Sequence, residues 1–150
     1  MLALPTAILR HQTTTGSHHD WLLADPALAW HSGGAGAYVT QAVGPTGVAG
    51  AVVEGEADLW AARCDPPPSA WRAVGSWLLT PLPPHRRRYL WYQGPLTAGR
   101  GAVTRVDRGH ALPLQWSASR ALLRVNLTGF TGTIELTRLS PTRWHAAVRG

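Results

Sequence analysis

Two imidazoles and a carboxylate stand close together near the start of the chain, at His11, His18 and Asp20. Leu2 to Arg10 reads as a short apolar strand that delivers His11 to its end, and Thr13 to Ser17 is turn chemistry. A hairpin with a returning strand from His18 to Ala24 follows. Side chains alternate along a strand, so His18, Asp20 and Leu22 fall on one face while His19, Trp21 and Leu23 fall on the other. The hairpin then sets His11 beside His18 and Asp20 without any long-range assumption. Such a set combines borderline nitrogen with hard oxygen, suits Mn, Fe, Co or Zn, and leaves coordination positions open for a substrate. An H-x-D triplet alone recurs by chance, so the convergence carries the reading and the triplet does not. His19 is expected on the back face.

A second stretch, His85-Arg86-Arg87-Arg88-Tyr89-Leu90-Trp91-Tyr92-Gln93-Gly94, follows the stiff Thr80-Pro81-Leu82-Pro83-Pro84 approach. Guanidinium groups bind phosphate oxygens bidentately, and His85 can donate a proton or a hydrogen bond near neutral pH. If the stretch is helical, Tyr89 lies one turn beyond His85 on the same face. The plain alternative is a solvated basic loop with its aromatics tucked under it.

These residues must be positioned by a single domain, since 150 residues suffice for one sizeable core and leave little for a second. The formal charge is +6, and all 14 basic residues are arginine. An excess of arginine favours an acidic partner, nucleic acid first, although an Ala-, Gly- and Pro-rich chain without lysine also reflects base composition. A lone cysteine, Cys64, forms no internal disulfide and favours a reducing compartment. Met1 to Leu9 lacks the basic start and the length of a signal peptide, and no apolar run reaches a membrane span. The expectation is a cytoplasmic monomer without membrane association, on which the Asn126-Leu127-Thr128 sequon is idle.

From the middle of the chain onward the text is strand-like. Tyr38 to Val43 and Val48 to Glu54 flank Gly44-Pro45-Thr46-Gly47 as a hairpin in a glycine-rich region. Leu59 to Arg63 reads as a strand with Trp60 in the core. Ser69 is expected to cap a short helix whose Trp71, Val74 and Leu78 share a face, ended by the prolines at 81, 83 and 84. Ala102 to Val106, Ala121 to Leu127, Thr133 to Leu139 and Arg143 to Val148 read as strands, with Asp107-Arg108-Gly109 as a turn that also holds His110. Trp116, Phe130 and Trp144 read as core, and His110 and His145 as structural, with a distal metal ligand as the alternative for either. Short strands with frequent turns predict an all-β, mainly antiparallel fold, a small β-barrel with one or two short helices.

In their order these residues resemble the 3′-phosphoesterase domain of bacterial ATP-dependent DNA ligase D and its small stand-alone relatives. That family carries a histidine ending its first strand, an H-x-D on the next, and later an H-x-x-x-Y followed by an aromatic, an acidic residue and glycine. Here these look like His11, then His18-His19-Asp20, then His85 to Tyr89 and on to Gly94. Gly99-Arg100-Gly101-Ala102-Val103, Val106-Asp107-Arg108-Gly109 and the tail from Phe130 to Leu139 with Trp144 are similar to later stretches. The likeness covers residues 5 to 24 and about 58 to 150.

The resemblance implies that His11, His18 and Asp20 bind a divalent metal, Mn²⁺ by preference with Zn²⁺, Co²⁺ or Fe²⁺ as alternatives. It implies that His85 and Tyr89 contact the phosphate of a nucleic-acid 3′ end in DNA repair. Removal of a 3′-phosphate or terminal ribonucleotide would leave a 3′-hydroxyl for a separate ligase or polymerase. Three departures stand out. Leu22 occupies the position of a family arginine, expected to face the site, for which Arg86, Arg88 or Arg100 could substitute. The loop from His11 to His18 is one residue longer. Residues 28 to 57 have no counterpart and read as an inserted hairpin over the groove. Other readings are a non-catalytic nucleic-acid-binding relative and an Fe(II) oxygenase using His18, Asp20 and a distal His110 with Arg120. The second leaves His11 and the His85 stretch without a role. A serine or cysteine hydrolase lacks G-x-S-x-G, and Cys64 has no evident base.

Overall fold

The computed structural model describes residues 3–24 and 57–150. The glycine-rich hairpin expected at about 28–57 falls outside the described residues. The strands are β1 (Leu4–Thr13), β2 (Gly16–Ala24), β3 (Ala57–Cys64), β4 (Ser76–Arg86), β5 (Gly94–Pro95), β6 (Ala102–Trp116), β7 (Arg120–Leu127), β8 (Thr131–Ser140) and β9 (Arg143–Val148). Among the described residues one α-helix, α1 (Pro68–Val74), and one 3₁₀ turn, Arg87–Leu90, interrupt them. Every pairing is antiparallel, in the order β1-β2-β3-β4-β9-β8-β7-β6-β5. A further β1–β6 pairing, Leu4↔Ala111 to Gln12↔Ala102, closes the strands into a ring. The expected all-β class is thus observed. The ring is irregular, with register shifts in β1–β6, β3–β4, β6–β7 and β8–β9.

Which faces are covered follows from the residue pattern. β7 alternates exposed Arg120, Arg124 and Asn126 with buried Ala121, Leu123, Val125 and Leu127, as a strand with one solvated face must. β1 is buried without a break from Leu4 to Leu9, and β2 from Asp20 to Ala24, because both their faces are packed. One face sends Ile8, Trp21 and Leu23 into a cluster with Trp71, Leu123, Phe130 and Ile134. The opposite face sends Leu9, Leu22, Leu59 and Ala61 against Leu90 and Val103. The candidate site rests on this second cluster.

Three local expectations are corrected. α1 has no side-chain cap from Ser69, ends at Gly75 (φ 81), and leaves Val74 and Leu78 about half exposed. Gly75, free to take positive φ, stops the helix well before the prolines could, and Leu78 already belongs to β4. The prolines at 81, 83 and 84 lie inside β4, where the ladder to β3 is irregular. Asp107-Arg108-Gly109 is no turn: β6 runs through it, and His110 lies in that strand. Buried Asp107 instead accepts the backbone N–H groups of Thr128 (2.9 Å) and Gly129 (2.7 Å), fixing the β7–β8 loop. Phe130 is core as expected, while Trp60, Trp116 and Trp144 are only partly buried against it.

Candidate metal centre

The β1–β2 hairpin turns at Thr14-Thr15, and its register opposes His11 to His18 and Leu9 to Asp20. The strand does not stop at His11 but continues to Thr13. The His11 and His18 rings meet edge to face at 5.0 Å. Ligand atoms of His11, His18 and Asp20 all lie within 4.8 Å of one another. The expected convergence is therefore present, made by adjacent strands of one hairpin.

The polar atoms of the cluster face one another closely. His18 Nδ1 and Asp20 Oδ1 are 2.8 Å apart, yet both are buried and neither makes a directed hydrogen bond. Buried polar atoms in folded proteins are nearly always satisfied, and an imidazole nitrogen facing a carboxylate oxygen is a pair that a divalent ion satisfies at once. His11 Nε2 lies 2.7 Å from the carbonyl oxygen of Arg100. A carbonyl only accepts, so Nε2 is the donor in this contact, the kind of orienting contact usual for a metal-bound histidine. Gly101 permits it. A Cβ there would lie 2.0 Å from the Gln12 carbonyl oxygen, at φ +93, so only glycine lets this turn approach β1.

His85 arrives from β4, opposite Leu59 of β3. Its Nδ1 donates to the Pro83 carbonyl (2.9 Å), and its Nε2 stands 3.9 Å from Asp20 Oδ2. His85 thus belongs to the same site as the hairpin. Tyr89 is reached through the 3₁₀ turn Arg87–Leu90 and not by a shared helical face. Its ring meets that of His85 at 5.9 Å, edge to face. A cavity of about 450 Å³ opens here, lined by His11, Asp20, His85 and Tyr89 together with Arg86, Arg88 and Arg100. His18 is not part of that lining. Pro83, Pro84, Leu96 and Thr97 also line it. The sequence reading missed these last, since nothing local distinguishes them.

The arginines differ. Arg100 spends its Nε and one terminal nitrogen on the Thr97 carbonyl and hydroxyl, both at 3.0 Å. Arg86 is exposed at the end of β4. Arg88 lies over the rings of Tyr92 (4.6 Å) and Tyr89 (5.3 Å). Leu22 shares a strand face with Asp20 but does not reach the cavity. It is fully buried in the second cluster, opposite Ala7 and Ala61, so the expectation that this position faces the site is corrected.

His19 points the other way, its Nδ1 donating to the Asp65 carbonyl (3.0 Å), as strand alternation requires. Neither His110 nor His145 joins the converging group. His110 pairs with Pro5, six residues along β1 from His11, roughly 20 Å at the strand rise. An oxygenase using His110 is therefore not built here. Burial pushes the Cys64 thiol up to about 12, which removes it as a nucleophile at neutral pH. Among the described residues no helix is long and apolar enough to cross a membrane. A scan against protein-family models finds no matching family, and a search of curated proteins finds no match.

Proposed function

We propose that the protein is a metal-dependent phosphoesterase acting on nucleic-acid 3′ ends, working in the cytoplasm as a monomer beside a separate ligase or polymerase. One observation carries the reading: a two-histidine, one-carboxylate cluster shares His11 and Asp20 with a cavity that a further histidine and three arginines also line. The resemblance to the 3′-phosphoesterase domain of DNA ligase D supports the same assignment.

His11, His18 and Asp20 would hold the ion, Mn²⁺ by the resemblance. When bound, it would polarise phosphoryl oxygens and lower the pKa of water. As a water oxygen bonds to phosphorus and the P–O3′ bond breaks, His85, steadied by Pro83, passes a proton from Nε2 to the departing 3′-oxygen, so that a hydroxyl is left on the nucleic acid and phosphate is released. The Tyr89 hydroxyl donates to a phosphoryl oxygen as charge grows there. The arginines attract the polyanion and orient its end. A second reading, a non-catalytic nucleic-acid-binding relative, is favoured by Leu22, an apolar residue packed in the second cluster where the resemblance expects an arginine.

The test is polymerase extension. A primer blocked by a 3′-phosphate should become extensible after incubation with the protein and Mn²⁺, and should stay blocked with EDTA. A primer that binds but never becomes extensible would establish the non-catalytic reading.

A further inference from the structure

Resting on that reading of the cavity, we propose that Arg88 is the site's anion clamp, held ready by a tyrosine pair. Of the arginines at the cavity, Arg100 is committed to Thr97, and Arg86 is an exposed side chain at a strand end. Arg88 is built in. Its guanidinium lies on Tyr92 and Tyr89, whose rings meet edge to face at 5.8 Å, and the Tyr92 hydroxyl is tied to the Pro95 carbonyl. The backbone carbonyl of Arg88 is also fixed, accepting from Tyr92 N (2.8 Å) and Trp91 N (3.1 Å).

Yet Arg88 Nε is buried without a hydrogen-bond partner. A buried guanidinium donor left unpaired is costly, and stacking on aromatic faces supplies attraction without consuming any donor. The arrangement holds a flat cation oriented while leaving its donors for an acceptor brought in through the cavity. A phosphate oxygen matches the guanidinium fork in charge and geometry. The rigid rings also lower the side-chain entropy lost on binding. A chain of contacts from Arg88 through Tyr89 to His85 and Asp20 ties the clamp to the metal cluster.

The experiment compares binding of a 3′-phosphorylated and a 3′-hydroxyl oligonucleotide of the same sequence to the full chain in EDTA, so that the end is not consumed. The wild type should prefer the phosphorylated end. Arg88→Gln should lose about tenfold to hundredfold in affinity for that end while keeping its affinity for the hydroxyl end. Arg100→Gln and Arg86→Gln should weaken both ligands alike and leave the preference intact. Arg88→Lys, which keeps the charge and loses the fork, should restore only part of it, and circular dichroism identifies any variant that fails to fold. An undiminished preference in folded Arg88→Gln and Arg88→Lys, or no preference in the wild type, overturns the clamp. Phosphate release with Mn²⁺ is scored separately. An Arg88-dependent preference without turnover would sink the phosphoesterase reading alone, whereas turnover indifferent to Arg88 would sink the clamp alone.

Discussion

Replacing Asp20 by asparagine should change stability in opposite directions with and without a divalent ion. Asp20 is 3% exposed, and its Oδ1 faces His18 Nδ1 at 2.8 Å without a directed hydrogen bond. Leaving a buried acceptor unsatisfied costs about 1–3 kcal/mol, so the nearly isosteric amide, which can donate to Nδ1, should relieve about 1 kcal/mol in EDTA. For a chain of this size that is roughly a 2–4 °C rise in Tm. The wild type, given Mn²⁺ at about a hundred times its dissociation constant, gains about 2.7 kcal/mol by binding to the folded state alone. That corresponds to roughly 5–11 °C. Asp20→Asn, stripped of the charged ligand, should gain almost nothing from the ion. Differential scanning fluorimetry with EDTA and with graded Mn²⁺ reads both effects. A variant that melts well below the wild type in EDTA and still gains the full shift would refute the argument, because the ion would then be bound elsewhere.

Removing the proposed proton carrier and hydrogen-bond donor should separate chemistry from metal binding. His85→Ala and Tyr89→Phe are each expected to lower the rate of phosphate release by about 10²–10³-fold while the Mn²⁺-induced Tm shift stays. Loss of the shift would place those side chains among the ligands instead. Asp107→Ala should cost about 3 kcal/mol, since it frees the N–H groups of Thr128 and Gly129 from a charged acceptor, and chemical denaturation would show it. A change under about 0.5 kcal/mol would mean the β7–β8 loop is held by other contacts. Glu135 is bound by Arg149 and then by Arg120, and both arginines hold its carboxyl below the usual value of 4.5. A depressed folded-state pKa contributes stability that is present above the unfolded value and lost as pH falls through the folded one. Wild-type Tm should therefore drop more steeply below about pH 4.5 than that of Glu135→Gln, and equal slopes would count against the ion pairs.

The hairpin was readable because it is local. Alternation alone placed His18 with Asp20 and turned His19 away, and a turn at Thr14-Thr15 sufficed to set His11 opposite His18. β7 was readable for the same reason, its burial alternating with a solvated face. What failed was non-local. Asp107-Arg108-Gly109 has turn composition, but pairing of β6 with β1 on one side and β7 beyond keeps it extended. The apolar spacing of Trp71, Val74 and Leu78 mimicked a helix face across what is a helix followed by a strand, with Gly75 as the unweighed break. The placement of His85 next to Asp20 depends on β3 lying between β2 and β4, which spacing along the chain does not contain. Leu22 misled for a subtler reason. Strand alternation gives the face a side chain takes but not how far along that face the cavity extends, and the apolar floor begins one alternation beyond Asp20.

The most direct measurement is release of inorganic phosphate from a 3′-phosphorylated primer-template, with and without Mn²⁺, by the wild type and by His18→Ala. Metal-dependent release by the wild type and none by the variant is the expected outcome. Equal release by the two, or release from the wild type that persists in EDTA, would contradict it.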